Sequence, residues 1–137
     1  MQACIVVSMV GMLGRRPAVL IIDDDRQFTA LIEAHLTAVG YSSAVAHDPV
    51  QGFILARRER PRLILLDIAM PAGGGLQLLE KLVKTGTTKR IPVIVITALP
   101  EAQLATEALS KGAVAFLRKP VDRDKLLARL DSLLKPG

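Results

Sequence analysis

The stretch VLIIDDD, residues 19–25, joins an apolar run to three consecutive carboxylates. Three later segments likewise pass from apolar to polar side chains: LILLD at 63–67, VIVIT at 93–97 and AFLRK at 115–119. In an open parallel sheet such strand ends lie along one edge, which is where these folds place their sites. We therefore expect three carboxylates, one hydroxyl and one ammonium group to converge there, from Asp23, Asp24, Asp67, Thr97 and Lys119.

Helical patterns alternate with these apolar runs. The segment Arg26–Val39 has apolar residues at helical spacing, with Asp25 in the position of an N-cap and Gly40 at its end. A weaker strand is predicted over 41–46, and further helices over 49–59, 76–85, 99–111 and 123–134. Alternating strands and helices with short connections predict an α/β fold, in which a parallel sheet carries helices on both faces.

Size and composition indicate one domain with a core of its own. The chain has 137 residues, of which 50% are hydrophobic, and a net charge of +5. The basic residues are spread over helix ends without aromatic residues between them, which is typical of solvated helix faces and not of a nucleic-acid interface. The one cysteine, Cys4, permits no disulfide within the chain, which fits a reducing, cytoplasmic location.

Residues 1–16 precede the domain, which is predicted over 17–137. The apolar stretch 3–13 is too short to span a bilayer as a helix, and it lacks the preceding basic residues of a signal peptide. We expect a disordered or loosely packed extension. The alternatives are an extra strand or an anchor for a membrane surface or a partner.

The residue types at the predicted edge suit a divalent cation and a phosphoryl group. Adjacent carboxylates repel each other unless a cation neutralises them, and Mg²⁺ prefers carboxylate oxygens and retained waters. Asp24 and Asp67 are candidate direct ligands, with Asp23 acting through a water. Asp67 is too far from the next helix to cap it, so beside a metal it is a candidate phosphoryl acceptor. Thr97 and Lys119 would supply a hydroxyl and a positive charge to the phosphoryl oxygens.

Four segments together resemble the receiver domain of two-component response regulators: VLIIDDD, LILLDIAMP, VIVITA and GAVAFLRKP. The resemblance covers about residues 18–134, and the four motifs are specific in combination although none is specific alone. The chain looks like a single-domain, CheY-like regulator. The resemblance implies a flavodoxin-like, doubly wound sheet of five parallel strands in the order 2-1-3-4-5, with five helices.

The resemblance also implies a role for each acidic residue. Asp67 matches the phosphorylated aspartate, Asp23 and Asp24 match the acidic pair that binds Mg²⁺, and the Ala69 carbonyl matches a further metal ligand. A histidine kinase or a histidine phosphotransfer protein would then supply the phosphoryl group. The chain would be a signalling switch that assists its own phosphorylation and dephosphorylation, and not an enzyme that turns over a substrate.

The same resemblance implies how the switch is read. Thr97 and Lys119 match the phosphate-sensing hydroxyl and the phosphate-binding lysine, and Phe116 matches the aromatic residue whose rotamer follows that hydroxyl. Gly75 matches the glycine after the phosphorylation loop. Output would pass through the face of the fourth helix, fifth strand and fifth helix to a downstream effector protein, without direct binding to nucleic acid and without a membrane span.

Three positions depart from the family pattern or vary within it. Ala69 and Leu99 occupy the variable positions, two residues after Asp67 and Thr97, that influence how fast the acyl phosphate hydrolyses. Neither side chain can orient a water, so we expect a long-lived phosphoryl-Asp67. Gly74 stands where the family often has an acidic or polar residue, and we expect it to loosen the loop.

Two other functions compete with this interpretation. Asp23 and Asp25 after an apolar strand, with Thr97 and Lys119 later, partly mimic the motifs of haloacid-dehalogenase-like phosphatases. Against that, no acidic pair follows Lys119 at a strand end, and Asp67 would have no role. The other alternative is a receiver-like scaffold that is never phosphorylated, but a scaffold does not need three carboxylates together.

Overall fold

The computed structural model describes residues 16–70, 74–100 and 102–134. The strands are β1 Val19–Ile22, β2 Ser43–Ala46, β3 Leu63–Leu66, β4 Val93–Thr97 and β5 Ala115–Arg118. The helices are α1 Arg26–Ala38, α2 Pro49–Glu59, α3 Gly75–Lys84, α4 Ala102–Ser110 and α5 Arg123–Leu134. The predictions for the extension fall outside the described residues except at Arg16, as does the end of the domain at 135–137. None of these described helices is long and apolar enough to cross a membrane.

The strands form one parallel sheet in the order β2-β1-β3-β4-β5. At its centre Ile21 of β1 lies between Val45 of β2 and Leu65 of β3. Leu65 in turn aligns with Ile94 of β4, and Ile94 with Ala115 of β5. This order confirms the predicted flavodoxin-like, doubly wound fold, with five helices in the described part of the chain.

The core has two layers, because successive residues of a strand face opposite sides of the sheet. On one side Leu20, Leu66 and Val95 pack with residues of α2, α3 and α4. On the other side Ile21 and Ile94 pack with residues of α1 and α5. Burial on both faces explains why the central strands are continuous apolar runs in the sequence.

Aspartate side chains cap three helices, as predicted for Asp25. Each accepts a hydrogen bond from the backbone N–H three residues later: Asp25 from Phe28, Asp48 from Gln51, and Asp122 from Lys125. Strand β2 begins at Ser43 and not at Tyr41, where the predicted strand began. The N–H of Tyr41 donates to the Leu36 carbonyl in the last turn of α1, so it is not free to pair with a strand.

The loop after β3 lies against the start of α3 at Gly75. A Cβ on Gly75 would lie 2.5 Å from Ile68 Cα and 2.9 Å from the Ile68 carbonyl oxygen. Only glycine fits this approach without displacing backbone. Gly74, just before the helix, has a φ of +84°, which glycine also tolerates best. The start of α3 therefore packs directly on the backbone beside Asp67.

Candidate functional site

The carboxyl edge of the sheet brings the predicted acidic residues together. Asp23 and Asp67 each follow the last residue of a central strand. Their backbone N–H groups continue the strand pairing, with Asp23 donating to Ala46 at 3.0 Å and Asp67 to Ile22 at 2.9 Å. The side chains of Asp23 and Asp67 are thereby fixed at the edge, and the two residues are 1% and 5% exposed. Asp24 is exposed.

The three carboxylates form a cluster that suits a hard divalent cation. One oxygen each from Asp23, Asp24 and Asp67 lies within 4.8 Å of the other two. Carboxylate oxygens coordinate Mg²⁺ at about 2.1 Å and Ca²⁺ at about 2.3–2.6 Å, so two oxygens on opposite sides of one ion lie about 4.2–5.2 Å apart, a range that includes the spread of this cluster. The residues present therefore fit a divalent metal on both donor type and spacing.

Lys119 places its ammonium group between the two buried carboxylates. Its Nζ lies 2.7 Å from Asp23 Oδ2 and 3.5 Å from Asp67 Oδ2. The ring of Phe28 lies on the same ammonium, with Nζ 4.2 Å from the ring centroid, which is a cation–π contact. Because the Lys119 side chain is only 15% exposed, a largely buried cation faces two buried anions.

Backbone N–H groups hold the other oxygen of each buried carboxylate. Asp25 donates to Asp23 Oδ1 at 2.9 Å, and Ala69 donates to Asp67 Oδ1 at 2.8 Å. The contact of Asp67 Oδ2 with Lys119, at 3.5 Å, is at the limit of a hydrogen bond. The two oxygens of Asp67 thus differ: Oδ1 is fixed by a short hydrogen bond, and Oδ2 is held loosely.

Burial and like charge set the protonation of the cluster. Burial raises the pKa of Asp23 above its usual 3.8, the hydrogen bond from Lys119 opposes this, and the charge of Asp67 adds to the rise. Burial lowers the pKa of Lys119, but its hydrogen bond to Asp23 and the charges of both carboxylates outweigh burial and hold the pKa above 10.5. Lys119 is therefore charged at neutral pH, and one cation faces three carboxyl groups.

Thr97 ends β4 at the same edge, and Phe116 lies one strand further out. Thr97 is fully buried, and its hydroxyl accepts a hydrogen bond from the Leu99 N–H at 3.3 Å. The Lys119 N–H donates to the Thr97 carbonyl at 2.9 Å, which joins the two residues through the backbone. Phe116 is half-buried against the core layer of α4 and borders a cavity of about 250 Å³ near the start of α5.

Two contacts of the cluster were not predicted from the sequence. Phe28 fitted the apolar face of α1, and nothing in the sequence places its ring on Lys119. His47 Nδ1 lies 3.0 Å from the Asp23 carbonyl oxygen. The position of His47 directly after β2 is the one signal for this contact, because β2 ends at the same edge. The role of the Ala69 carbonyl as a metal ligand stays a prediction.

The response regulator receiver domain family matches residues 19–131 of the chain. The chain belongs to this family. The match confirms the receiver interpretation and gives no support to the phosphatase alternative. Response regulator PleD of Caulobacter vibrioides is 39% identical over 117 residues, which is 85% of this chain and 26% of PleD. The chain spans half or less of the length of the curated relatives that it matches first.

Solved receiver structures share the fold of this family member. The receiver domain of sensor histidine kinase PA1611 from Pseudomonas aeruginosa PAO1, with a magnesium ion coordinated in its active site cleft, has a TM-score of 0.78. It is 26% identical, and the match covers 88% of this chain and 99% of that one. A response regulator from Burkholderia pseudomallei with a phosphorylated aspartic acid and a calcium ion has a TM-score of 0.75. It is 28% identical, and the match covers 82% of this chain and 65% of that one.

Proposed function

We propose that the chain is a phosphorylation-dependent switch in which Asp67 accepts a phosphoryl group from a phosphohistidine. The observation that carries this proposal is the cluster itself. The carboxylates of Asp23, Asp24 and Asp67 lie within 4.8 Å of one another, and Lys119 Nζ contacts the two that are buried. Family membership supports the proposal, as do a relative with a phosphorylated aspartic acid and one with magnesium in its cleft.

We assign Mg²⁺ to the carboxylate cluster. Asp24 and Asp67 would hold the ion directly and Asp23 through a water, with the Ala69 carbonyl as a further ligand. Contact through a water suits Asp23, because its Oδ2 already contacts Lys119 and its Oδ1 accepts a hydrogen bond from a backbone N–H. When bound, Mg²⁺ supplies positive charge to the oxygens of the phosphoryl group.

Asp67 Oδ2 is the oxygen that we assign as the nucleophile, because Oδ1 is held by the Ala69 N–H. A P–O bond forms between Oδ2 and phosphorus as the P–N bond to the donor imidazole breaks. The bonding electron pair stays on the imidazole nitrogen of the donor. Lys119, whose Nζ lies 3.5 Å from the same oxygen, then pairs with the phosphoryl oxygens and offsets their charge.

Thr97 and Phe116 are proposed to pass the change on to the surface. The Thr97 hydroxyl accepts from the Leu99 N–H and can turn its own hydrogen toward a phosphoryl oxygen. Movement of Thr97 would leave room for the ring of Phe116 to turn inward. The face formed by α4, β5 and α5 would change with it, and Leu109 of α4 is an exposed apolar residue. Such a switch shifts the populations of two existing states.

A histidine kinase or a histidine phosphotransfer protein is the proposed donor, and a downstream effector protein is the proposed reader. We infer signalling without substrate turnover, because the modified group is a side chain of the protein itself. We also propose a cytoplasmic location, which the single cysteine of the sequence fits.

Labelling with radioactive acetyl phosphate tests the acceptor. With Mg²⁺ the wild type should take up a single phosphoryl group per chain, and EDTA should prevent it. The Asp67→Asn variant should take up none. Asp25→Asn is the matched control, since asparagine caps a helix as well as aspartate does, and it should label like the wild type. Label retained in Asp67→Asn, or turnover of p-nitrophenyl phosphate, would contradict the proposal.

The phosphoryl-Asp67 bond is expected to be long-lived. Ala69 and Leu99, the residues two positions after Asp67 and Thr97, carry no side-chain group that could orient a water for hydrolysis. Decay should be followed after the donor is removed, with no phosphatase present. The Leu99→Glu variant, which introduces a carboxylate at an exposed position, should decay faster than the wild type. A wild-type lifetime of seconds would contradict this prediction.

A further inference from the structure

A groove between α2 and α3 has an apolar lining that extends from the edge of the core to the surface. Its volume is about 400 Å³, and its walls include Val50, Phe53 and Ile54 of α2 and Leu78 of α3. Val50 is 71% exposed and Ile54 is 46% exposed, although both are branched aliphatic residues one helical turn apart. A concentration of exposed apolar side chains at one place indicates a contact surface.

Helix α2 has buried apolar residues on one face and exposed apolar residues on another. Gly52, Leu55 and Ala56 are buried, and the latter two belong to the core beside the sheet. Val50 and Ile54 lie on the face that borders the groove. The residues at 50, 53 and 54 repeat at helical spacing, which is the pattern by which one helix packs on another. The second face therefore offers apolar side chains at the spacing of a helix–helix contact, and they line the groove beside α3.

Two basic side chains lie close to the Phe53 ring at this groove. Lys81 Nζ lies 4.1 Å from the centroid of the Phe53 ring, and Arg57 Cζ lies 5.6 Å from it. No acidic side chain lines the groove in the part of the chain that the structure describes. A matching occupant needs apolar side chains to contact the apolar lining of the groove, which we call its floor. It also needs carboxylates to pair with Lys81 and Arg57, which we call its rim.

We propose that the α2–α3 groove binds an amphipathic, acidic helix of a protein partner. Apolar side chains at i, i+3 or i+4, and i+7 would enter the groove, and glutamate or aspartate residues beside them would pair with Lys81 and Arg57. A concave groove between two helices accepts a ridge of side chains, whereas a membrane surface offers none. The surface is separate from the proposed output face, since its lining belongs to neither α4, β5 nor α5.

Other occupants match the groove less well. A second copy of the chain would bring a net charge of +5 against the same positive rim. The chain's own apolar stretch, residues 3–13, has no carboxylate with which to pair. An acidic helix satisfies both the floor and the rim.

Two designed peptides test the proposal on the full, unphosphorylated chain. Both have leucine at the same helical spacing; one has glutamate at the flanking positions and the other has lysine. In an NMR titration the glutamate peptide should shift the amide signals of Val50, Phe53, Ile54 and Leu78. It should also bind about tenfold more tightly than the lysine peptide. Equal binding of both peptides, or shifts spread over other faces, would overturn the proposal.

Substitutions in the groove locate the binding. Ile54→Gln should weaken binding of the glutamate peptide about tenfold, since one aliphatic side chain that contacts the peptide is lost. Leu31→Gln is the matched control, because Leu31 is similarly exposed, 53% against 46%, but lies on α1. Lys81→Glu should weaken binding of the glutamate peptide and strengthen binding of the lysine peptide. Full affinity in both Ile54→Gln and Lys81→Glu would overturn the proposal.

Further measurements distinguish the other occupants. Peptide binding that appears only after residues 1–15 are removed would assign the groove to the chain's own segment. A dimer in sedimentation that Ile54→Gln dissociates would assign it to a second copy. Binding to vesicles of phosphatidylcholine and phosphatidylglycerol that Ile54→Gln abolishes would assign it to a membrane. Each of these results would overturn the proposal of a helical protein partner.

Discussion

The two edges of the sheet use polar side chains in opposite ways. At the carboxyl edge, Lys119 shares one ammonium group between the buried carboxylates of Asp23 and Asp67. At the amino edge, the Tyr41 hydroxyl donates to the Asp131 carboxylate and so ties the start of β2 to α5. The amino edge pairs one donor with one acceptor, whereas the carboxyl edge gathers more negative charge than it neutralises.

Charge distinguishes the edges, and hydrogen bonding does not. Within the described residues, every buried side-chain nitrogen or oxygen has a hydrogen-bond partner. Paired polar groups are what burial requires, so the amino edge needs no explanation beyond the fold. Like charges in a buried site oppose folding, and such conflicts are expected where a protein binds or reacts. Removal of one acidic charge should therefore change stability in different directions at the two edges.

Lys119→Met should have the largest effect on stability. Methionine removes the charge and leaves two buried carboxylates without their cation, so we expect a loss of about 3 kcal/mol of unfolding free energy at neutral pH. The variant also loses the hydrogen bond that lowers the pKa of Asp23, so that pKa rises further. A raised carboxyl pKa gives stability that is present at low pH and lost as pH rises through it, so the deficit should shrink in acid.

Urea denaturation at several pH values measures this effect. Lys111→Met is the matched control, because Lys111 Nζ also lies 2.6 Å from a carboxylate, that of Glu80, but at a more exposed site. The control should unfold almost like the wild type, as expected for an exposed ion pair. Equal losses of unfolding free energy in the two variants would show that Lys119 contributes no more than a lysine in an exposed ion pair.

Gly75→Ala should have the next largest effect, at the carboxyl edge again. The new Cβ would meet the Ile68 backbone at 2.5 Å, and we expect a loss of about 2 kcal/mol of unfolding free energy. Gly86→Ala is the control near the amino edge, where a Cβ would have no atom within 4 Å. Thermal unfolding of the two variants measures the difference. A tolerated alanine at Gly75 would mean that the loop beside Asp67 moves freely and does not rest on α3.

The sequence could predict which residues meet at the carboxyl edge, because each of them lies at the end of an apolar run. The parallel sheet turns that linear pattern into proximity, even for Asp23 and Lys119, which are 96 residues apart. The strand order came from the family resemblance, because periodicity does not tell which strands pair. The contact of Phe28 with Lys119 and the exposed ridge of Val50 and Ile54 could not be predicted. Their helical spacing would fit burial in the core equally well, and only the packed structure distinguishes the two.

Asp67→Asn should raise stability, by about 1 kcal/mol in metal-free buffer. Asparagine keeps the oxygen that accepts from the Ala69 N–H, and it removes the negative charge that opposes Asp23. What is lost is only the 3.5 Å contact with Lys119. The same change at the amino edge, Asp131→Asn, should lower stability or leave it unchanged. Urea denaturation in EDTA compares the two, and destabilisation by Asp67→Asn would contradict the view that this edge trades stability for function.

Tyr41→Phe should have the smallest effect on the free energy of unfolding. It should lower stability, whereas Asp67→Asn should raise it. It removes the hydrogen bond to Asp131, which is worth about 1 kcal/mol at most at this partly exposed site. That hydrogen bond raises the pKa of Tyr41 above its usual 10.0, with burial and the charge of Asp131 adding to it. The stability it provides is therefore complete below pH 10.0 and lost as pH rises through the folded pKa. The difference in unfolding free energy between wild type and variant should be constant at neutral pH and vanish in strong base. Labelling of Asp67 should be unchanged, because a structural contact at one edge has no part in the chemistry of the other.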